Sequence, residues 1–302
     1  MKQQQFNETI QEKILSQMKK YGTNWLQGYK NDLITGRSHN KFTGTQYRGI
    51  NAWLLYFSSL NNGYETKEYG TAKNWMSLGH NIKKGEKGHH ILFQQWKEKE
   101  SKEHTDDDGN PLVDMYCIYK NYVVFNADQV DGYEVKKPDE DALKSENERL
   151  QDVDAYVFNT GAKIIYGSDG GFYSPSRDEI HMPNIDNYVG TDTSNAIESF
   201  YGTQLHELAH WTGHESRLNR KITNRFGTTD YAYEELVAEC SSALLSGALG
   251  ISSEPRPDHA KYLNSWMTAI KDNPKVIITA FGKASKVVDY LDGLQDKKEM
   301  VA

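Results

Sequence analysis

The sequence is poor in cysteine, poor in proline and free of long apolar runs. Only Cys117 and Cys240 occur in 302 residues, and they stand far apart. Two such residues make neither a disulfide framework nor a CxxC zinc site. No stretch approaches the run of about 18 apolar residues that a membrane-crossing helix needs. The opening MKQQQFNETIQEK is polar and lacks the apolar segment of a secretory signal. The expectation is a cytoplasmic protein with no membrane partner. Disorder is excluded from the other side. Aromatics make up 12% of the chain, with 19 Tyr, 10 Phe and 6 Trp, and such content implies packed cores. The length fits two domains at roughly 100–200 residues each.

Charge divides the chain unevenly. The total is −7, yet Lys13 to Lys97 holds 13 Lys/Arg against 4 acids, a net of +9. Glu98 to Val135 holds 3 Lys against 10 acids, a net of −7, and the remainder from Lys136 is net −8. A basic block followed by an acidic remainder points to one region that meets an anionic partner. The polar segment 131–150 carries Gly132 and Pro138 and reads as a linker with a helical lead-in. The expected division is therefore 1–135, a linker at 136–150, and 151–302.

In the first half, hydrophobic periodicity predicts helices near 7–20, 45–60 and 71–79, with Thr43 or Thr45 capping the second. Two strand-like runs, 89–96 and 114–126, flank a polar tip at 97–111. Two polar loops precede apolar elements. One, at 35–49, carries Arg37, His39, Lys41, Tyr47 and Arg48; the other, at 79–90, carries Lys83, Lys84 and Lys87. Glycines there let backbone N–H groups approach phosphates, and Lys and Arg neutralise them. Thirteen aromatics lie between Tyr21 and Trp96. Unpaired bases can stack on such rings, so the pattern suits a single strand better than a duplex. A core role for rings such as Trp53 and Phe57 competes with that reading.

The sharpest motif is His206-Glu207-Leu208-Ala209-His210, an HExxH. On a helix both imidazoles share one face and reach one ion, with Glu207 as general base. The helix is expected to start near Ser194, with Asp192, Thr193 or Ser194 as its cap, and to end at Gly213. A second helix follows through YAYEELVAE, 231–239. A catalytic zinc takes three protein ligands and leaves one position for water. Glu235 is the choice for the third, and Glu239, one turn on, is placed to accept the N–H of a ligand histidine. Glu234 is the rival ligand, about 100° away around the helix. A metzincin would need HExxHxxGxxH; here Gly213 fits, but residue 216 is Ser and the histidine is His214. Tyr231, Tyr233 and Arg217 are candidates for holding an oxyanion. The stretch 171–183 is a candidate sheet edge for an extended peptide, and helices are expected near 258–271 and 274–292.

Taken together, NKFTGTQYRGINAWLL, WMSLG, KKGEKG, VVFNADQVDG, YSPSRDEIHMP, LHELAHWTGHESRLNR and FGTTDYAYEELVAE resemble the ArdC-type antirestriction proteins of plasmids and mobile elements. The resemblance covers roughly residues 20 to 290. It implies an α+β fold of two domains. The first is a single-stranded-DNA-binding domain related to that of TraC-type plasmid primases, and the second a zincin-like (HExxH, gluzincin-type) metallopeptidase domain. It places His206, His210 and Glu235 on the metal, zinc or another divalent transition ion, and Glu207 as catalytic glutamate. The implied role is protection of incoming DNA from restriction during conjugation. The alternatives are a DNA-recruited zinc metallopeptidase that cuts DNA-bound proteins such as a restriction enzyme, and a peptidase indifferent to DNA.

Overall fold

The computed structural model describes residues 3–26, 37–105, 111–135, 145–190, 194–222, 228–251 and 260–295. Helix α1 (Gln3–Tyr21) opens the chain and is followed by a short 3-10 turn holding Trp25. Strand β1 (His39–Asn40), helix α2 (Ile50–Asn62), strand β2 (Glu68–Gly70) and helix α3 (Ala72–Ser77) lead to a long antiparallel pair, β3 (His89–Thr105) and β4 (Pro111–Asn126). The sheet order is β1-β2-β4-β3, with β1 parallel to β2 and the other pairs antiparallel.

The second half begins with α4 (Glu146–Asn159), started by a reciprocal cap between Ser145 and Glu148. A three-stranded sheet follows, in the order β5 (Lys163–Tyr166), β7 (Glu179–Met182), β6 (Phe172–Ser174). Helices α5 (Ala196–Trp211), α6 (Thr229–Leu249), α7 (Ala260–Asp272) and α8 (Lys275–Gly293) complete the chain. Among the described residues no helix is long and apolar enough to cross a membrane.

Several expected boundaries move, each for a local reason. Helix α2 starts later than 45, and neither Thr43 nor Thr45 caps it. Those two hydroxyls bond to each other in the preceding turn. The start is set instead by Gly49, at φ 55°, whose N–H donates to Ser285 Oγ of α8 at 2.8 Å. Positive φ there suits glycine. The cap of α5 is Asn195, one residue past the expected candidates. Its side chain accepts from Glu198 N–H, and the Glu198 carboxylate accepts from Asn195 N–H. Asp192 and Thr193 lie outside the described residues. The polar run after 97 is strand as far as Thr105, which pairs with Pro111. Ladder hydrogen bonds between backbones hold such a ribbon whatever its side chains. Residues 106–110 of the expected polar tip and most of the expected linker, 136–144, lie outside the described residues.

The two halves share one hydrophobic cluster. Ile10, Ile14 and Met18 of α1 and Trp53 and Phe57 of α2 belong to the same buried set as α5, α6, α7 and α8. Trp53 stacks on Phe281 with ring centroids 4.7 Å apart and planes at 16°. Such a pair adds about 0.5–1.5 kcal/mol beyond its burial. Helices α7 and α8 therefore do more than close the second half. They also form the floor on which α1 and α2 rest.

Candidate metal centre and basic surface

Helices α5 and α6 pack together, and α5 is buried from Phe200 to Trp211. His206 and His210 stand one turn apart on it, with Nε2 atoms 3.0 Å from each other. Glu235 reaches in from α6, one oxygen 3.5 Å from His206 Nε2 and the other 3.5 Å from His210 Nε2. The three donors lie within 4.8 Å of one another, and all three residues are buried. Ligands on one ion at about 2.0–2.2 Å sit roughly 3–3.5 Å apart, and these separations already meet that.

Each histidine has a carboxylate behind it. Glu239 Oε1 is 3.7 Å from His206 Nδ1, and Glu234 Oε1 is 3.3 Å from His210 Nδ1. A carboxylate that accepts a hydrogen bond from Nδ1–H keeps the proton there and leaves the Nε2 lone pair facing the centre. Glu234, weighed from sequence as a rival ligand, thus backs His210, because its displacement around α6 aims it at the far nitrogen of that imidazole. Arg220 completes the chain. It donates to Glu234 Oε1 at 2.8 Å, to Thr212 Oγ1 at 2.8 Å and to the Ala209 carbonyl at 2.7 Å. Sequence reasoning missed Arg220, since nothing in ESRLNR marks one arginine over the other.

Glu207, Glu234, Glu235 and Glu239 are all buried, and the Arg220 guanidinium pairs with Glu234. Carboxylates gathered out of water need compensating cations. The donor set, with its excess of negative charge, fits a divalent ion. Burial disfavours a charged His210, but hydrogen bonds with Glu234 and Glu235 outweigh it and raise the imidazole to about 10. Burial likewise opposes ionisation of Glu234, yet His210 and Arg220 hold its carboxyl below the usual range.

Strand β6 is the edge of its sheet and runs past Glu207. A Cβ on Gly171, just before it, would sit 2.6 Å from Thr203 Cγ2 and 3.7 Å from Glu207 Oε1. Glycine is what lets the strand approach α5 so closely. Of the expected edge segment 171–183, β6 has a free side among the described residues and β7 is central. Among the oxyanion candidates, Tyr231 hydrogen-bonds Glu235; burial and that carboxylate's charge raise its phenol. Arg217 lies over the Trp211 ring at 3.9 Å, donates to the Trp211 carbonyl at 2.6 Å and pairs with Asp178. It braces the chain after α5. Tyr233 carries Lys283 Nζ over its ring at 4.7 Å. His214 Nδ1 is 2.8 Å from Ser216 Oγ, within a turn.

The basic residues of the first half divide into committed and exposed. The Arg37 guanidinium is only 9% exposed and lies 2.7 Å from Asp289 and 3.2 Å from Asp292 of α8. Expected at a DNA phosphate, it holds the two halves together, because α8 supplies two nearer carboxylates. Lys41 pairs with Glu68 at 2.7 Å. Tyr47 packs edge-on against Tyr69. Lys83 donates to the Asp128 carbonyl at 2.8 Å. Arg48 is 67% exposed, 3.4 Å from Asp289, and Lys84 and Lys87 are exposed on their loop. His39 Nδ1 lies 3.3 Å from the Arg37 carbonyl.

Comparison with known proteins follows the same division. The family model described as the N-terminal domain of anti-restriction factor ArdC matches residues 4–125, and that of a zincin-like metallopeptidase matches residues 151–283. The uncharacterized protein y4eC of Sinorhizobium fredii (strain NBRC 101917 / NGR234) is 32% identical over 259 residues, covering 85% of this chain and 81% of the relative. DNA primase TraC of Escherichia coli is 33% identical over 310 residues, covering 97% of this chain but 20% of the primase. Crystal structures of antirestriction ArdC protein from the R388 plasmid, metal-free and Mn(II)-bound, match with a TM-score of 0.70 and 29% identity. They cover 96% and 97% of this chain, and 97% and 99% of the respective crystallised chains.

Proposed function

The chain belongs to the ArdC-type antirestriction family, and from that premise we propose that it binds single-stranded DNA in the cytoplasm and protects incoming mobile-element DNA from restriction. Residues 1–135 are the DNA-binding part, 136–150 the linker and 151–302 the zincin-like part. The observation that carries this reading is the pairing of an ArdC N-terminal match with a buried His206–His210–Glu235 donor set in one chain. Arg48, Lys84 and Lys87 are the cations best exposed to track a phosphate backbone; Lys41 and Lys83 assist from within protein contacts, and Tyr47 braces the loop.

His206, His210 and Glu235 would hold the ion, which we assign as zinc; the relative's structure holds Mn(II). When bound, such an ion supplies Lewis acidity and a water acidified toward neutral pH. Glu234 keeps the His210 Nδ1 proton in place, and Glu239 stands 3.7 Å from His206 Nδ1. Glu207 is buried beside the start of β6, where its Oε1 can take a proton and later return it to a leaving amine. That geometry supports a second reading, a metallopeptidase recruited by DNA to cut bound proteins. The free side of β6 is the place for an extended peptide.

Titrating labelled single-stranded and duplex oligonucleotides across a salt series tests the first reading. Single-strand binding that weakens steeply with salt is expected; its absence at low salt would sink DNA binding. Glu207→Gln tests the second. It keeps the metal and removes proton transfer, so undiminished protection in a restriction assay would exclude a peptidase account of protection.

A further inference from the structure

A cavity of about 520 Å³ opens in the first half, between α1, α2 and the start of β3. It lies away from the metal centre, and its volume is that of a small-ligand pocket. The walls differ in character. Ile14, Leu54 and Phe57 form an apolar floor, with Phe57 and Ile14 buried. Lys13 and Lys20 of α1 stand exposed on its rim, against one lining carboxylate, Glu12. His89 and His90 line it from the start of β3, and Gly88 from the end of the loop that carries Lys84 and Lys87, so the exposed basic loop leads to the cavity.

Gln17 makes the cavity look like a site. It lines the space, it is only 8% exposed, and its Oε1 has no hydrogen-bond partner. A buried amide oxygen left unpaired costs about 1–3 kcal/mol. A ligand N–H would satisfy it. The neighbouring His89 and Ser58 are already engaged. His89 Nδ1 is 2.6 Å from Ser58 Oγ, and its Nε2 is 3.1 Å from both Tyr64 Oη and Gln129 Oε1.

We propose that this cavity takes one nucleotide of the bound single strand, its base against the Phe57 floor and Gln17, its phosphate toward Lys13 and Lys20. The inference rests on the single-strand reading above and deepens it. An apolar face, one buried acceptor and a cationic rim match a flat ring with N–H groups on a phosphate tether. Every base has a ring face and an N–H on its pairing edge, so the pocket tolerates sequence.

The test crosses two changes in the full-length protein. Anisotropy titrations compare oligo-dT with an oligomer of equal length and charge in which the bases are replaced by abasic sites. The wild type is compared with Asn61→Trp, which plugs the exposed rim, and with Gln17→Met, which keeps volume and removes the acceptor. Removing the bases should weaken wild-type binding roughly tenfold and should change Asn61→Trp and Gln17→Met by less than about threefold. Equal base sensitivity in wild type and both variants would overturn the pocket. Equal wild-type binding of the two oligomers would do the same. Lys13→Ala with Lys20→Ala, both on an exposed helix face, should weaken oligo-dT several-fold and lower the salt slope; an unchanged slope would remove the phosphate from that rim. If dTMP alone binds as tightly as the oligomer, the pocket serves a free nucleotide and the strand assignment falls. If wild type binds no oligomer, the single-strand reading itself fails.

Discussion

Around His206 and His210 the charges are buried and held by one another, whereas around Lys84 and Lys87 they stand in solvent. The first arrangement fixes geometry. Arg220 holds Glu234, Glu234 faces His210, and the histidine nitrogens meet Glu235 within a few tenths of an ångström of metal-ligand spacing. The second arrangement leaves geometry to the partner. Exposed lysines on a loop can follow a flexible anionic chain, at the price of strong screening by salt. One molecule thus uses charge in two ways, and burial decides which.

The sharpest break of this contrast is at Arg220. Arg220→Met leaves Glu234 buried without its guanidinium and is expected to cost about 3–5 kcal/mol of stability. Chemical denaturation reads it directly; a loss below 1 kcal/mol would mean the pair does not organise the centre. Next, Glu234→Gln should weaken metal binding about 10–100-fold by calorimetry. Glu239→Gln should cost less, since Glu239 lies 3.7 Å from its histidine against 3.3 Å for Glu234.

Acidity gives a third measure. His210 in the metal-free protein is raised to about 10 from its ordinary 6.5. Its proton therefore stabilises the metal-free fold fully below about pH 6.5, and that contribution is lost as pH rises through 10. A metal must displace the same proton, so apparent affinity should climb up to about tenfold per pH unit across this window. A flat profile between pH 7 and 9 would show that the proton is not there. The smallest effect belongs to the surface. Lys84→Ala with Lys87→Ala should leave stability within about 0.5 kcal/mol. It should reduce the salt slope of single-strand binding by roughly 0.7 per lysine, and an unaltered slope would place the strand elsewhere.

Local patterns carry only as far as local geometry. HExxH puts two imidazoles on one face of α5 wherever the helix packs, and Glu235 with Glu239 on one face of α6 follows from the same periodicity. Both were legible for that reason, as were the α+β character and the helices closing the chain. Which face of α6 meets α5 is a packing outcome, and it turned Glu234 from a rival ligand into the partner of His210. Arg37 shows the limit most plainly. In sequence it is one more cation in a basic loop; in the fold it lies 2.7 Å from Asp289, 252 positions away. Sequence alone determined the shared helix face of His206 and His210 and the basic character of the first half, because each rests on residue type and short spacing. Tertiary structure alone decided which cations are free, which carboxylate backs which histidine, and that both halves share one core around Trp53 and Phe281, because these depend on contacts between distant segments.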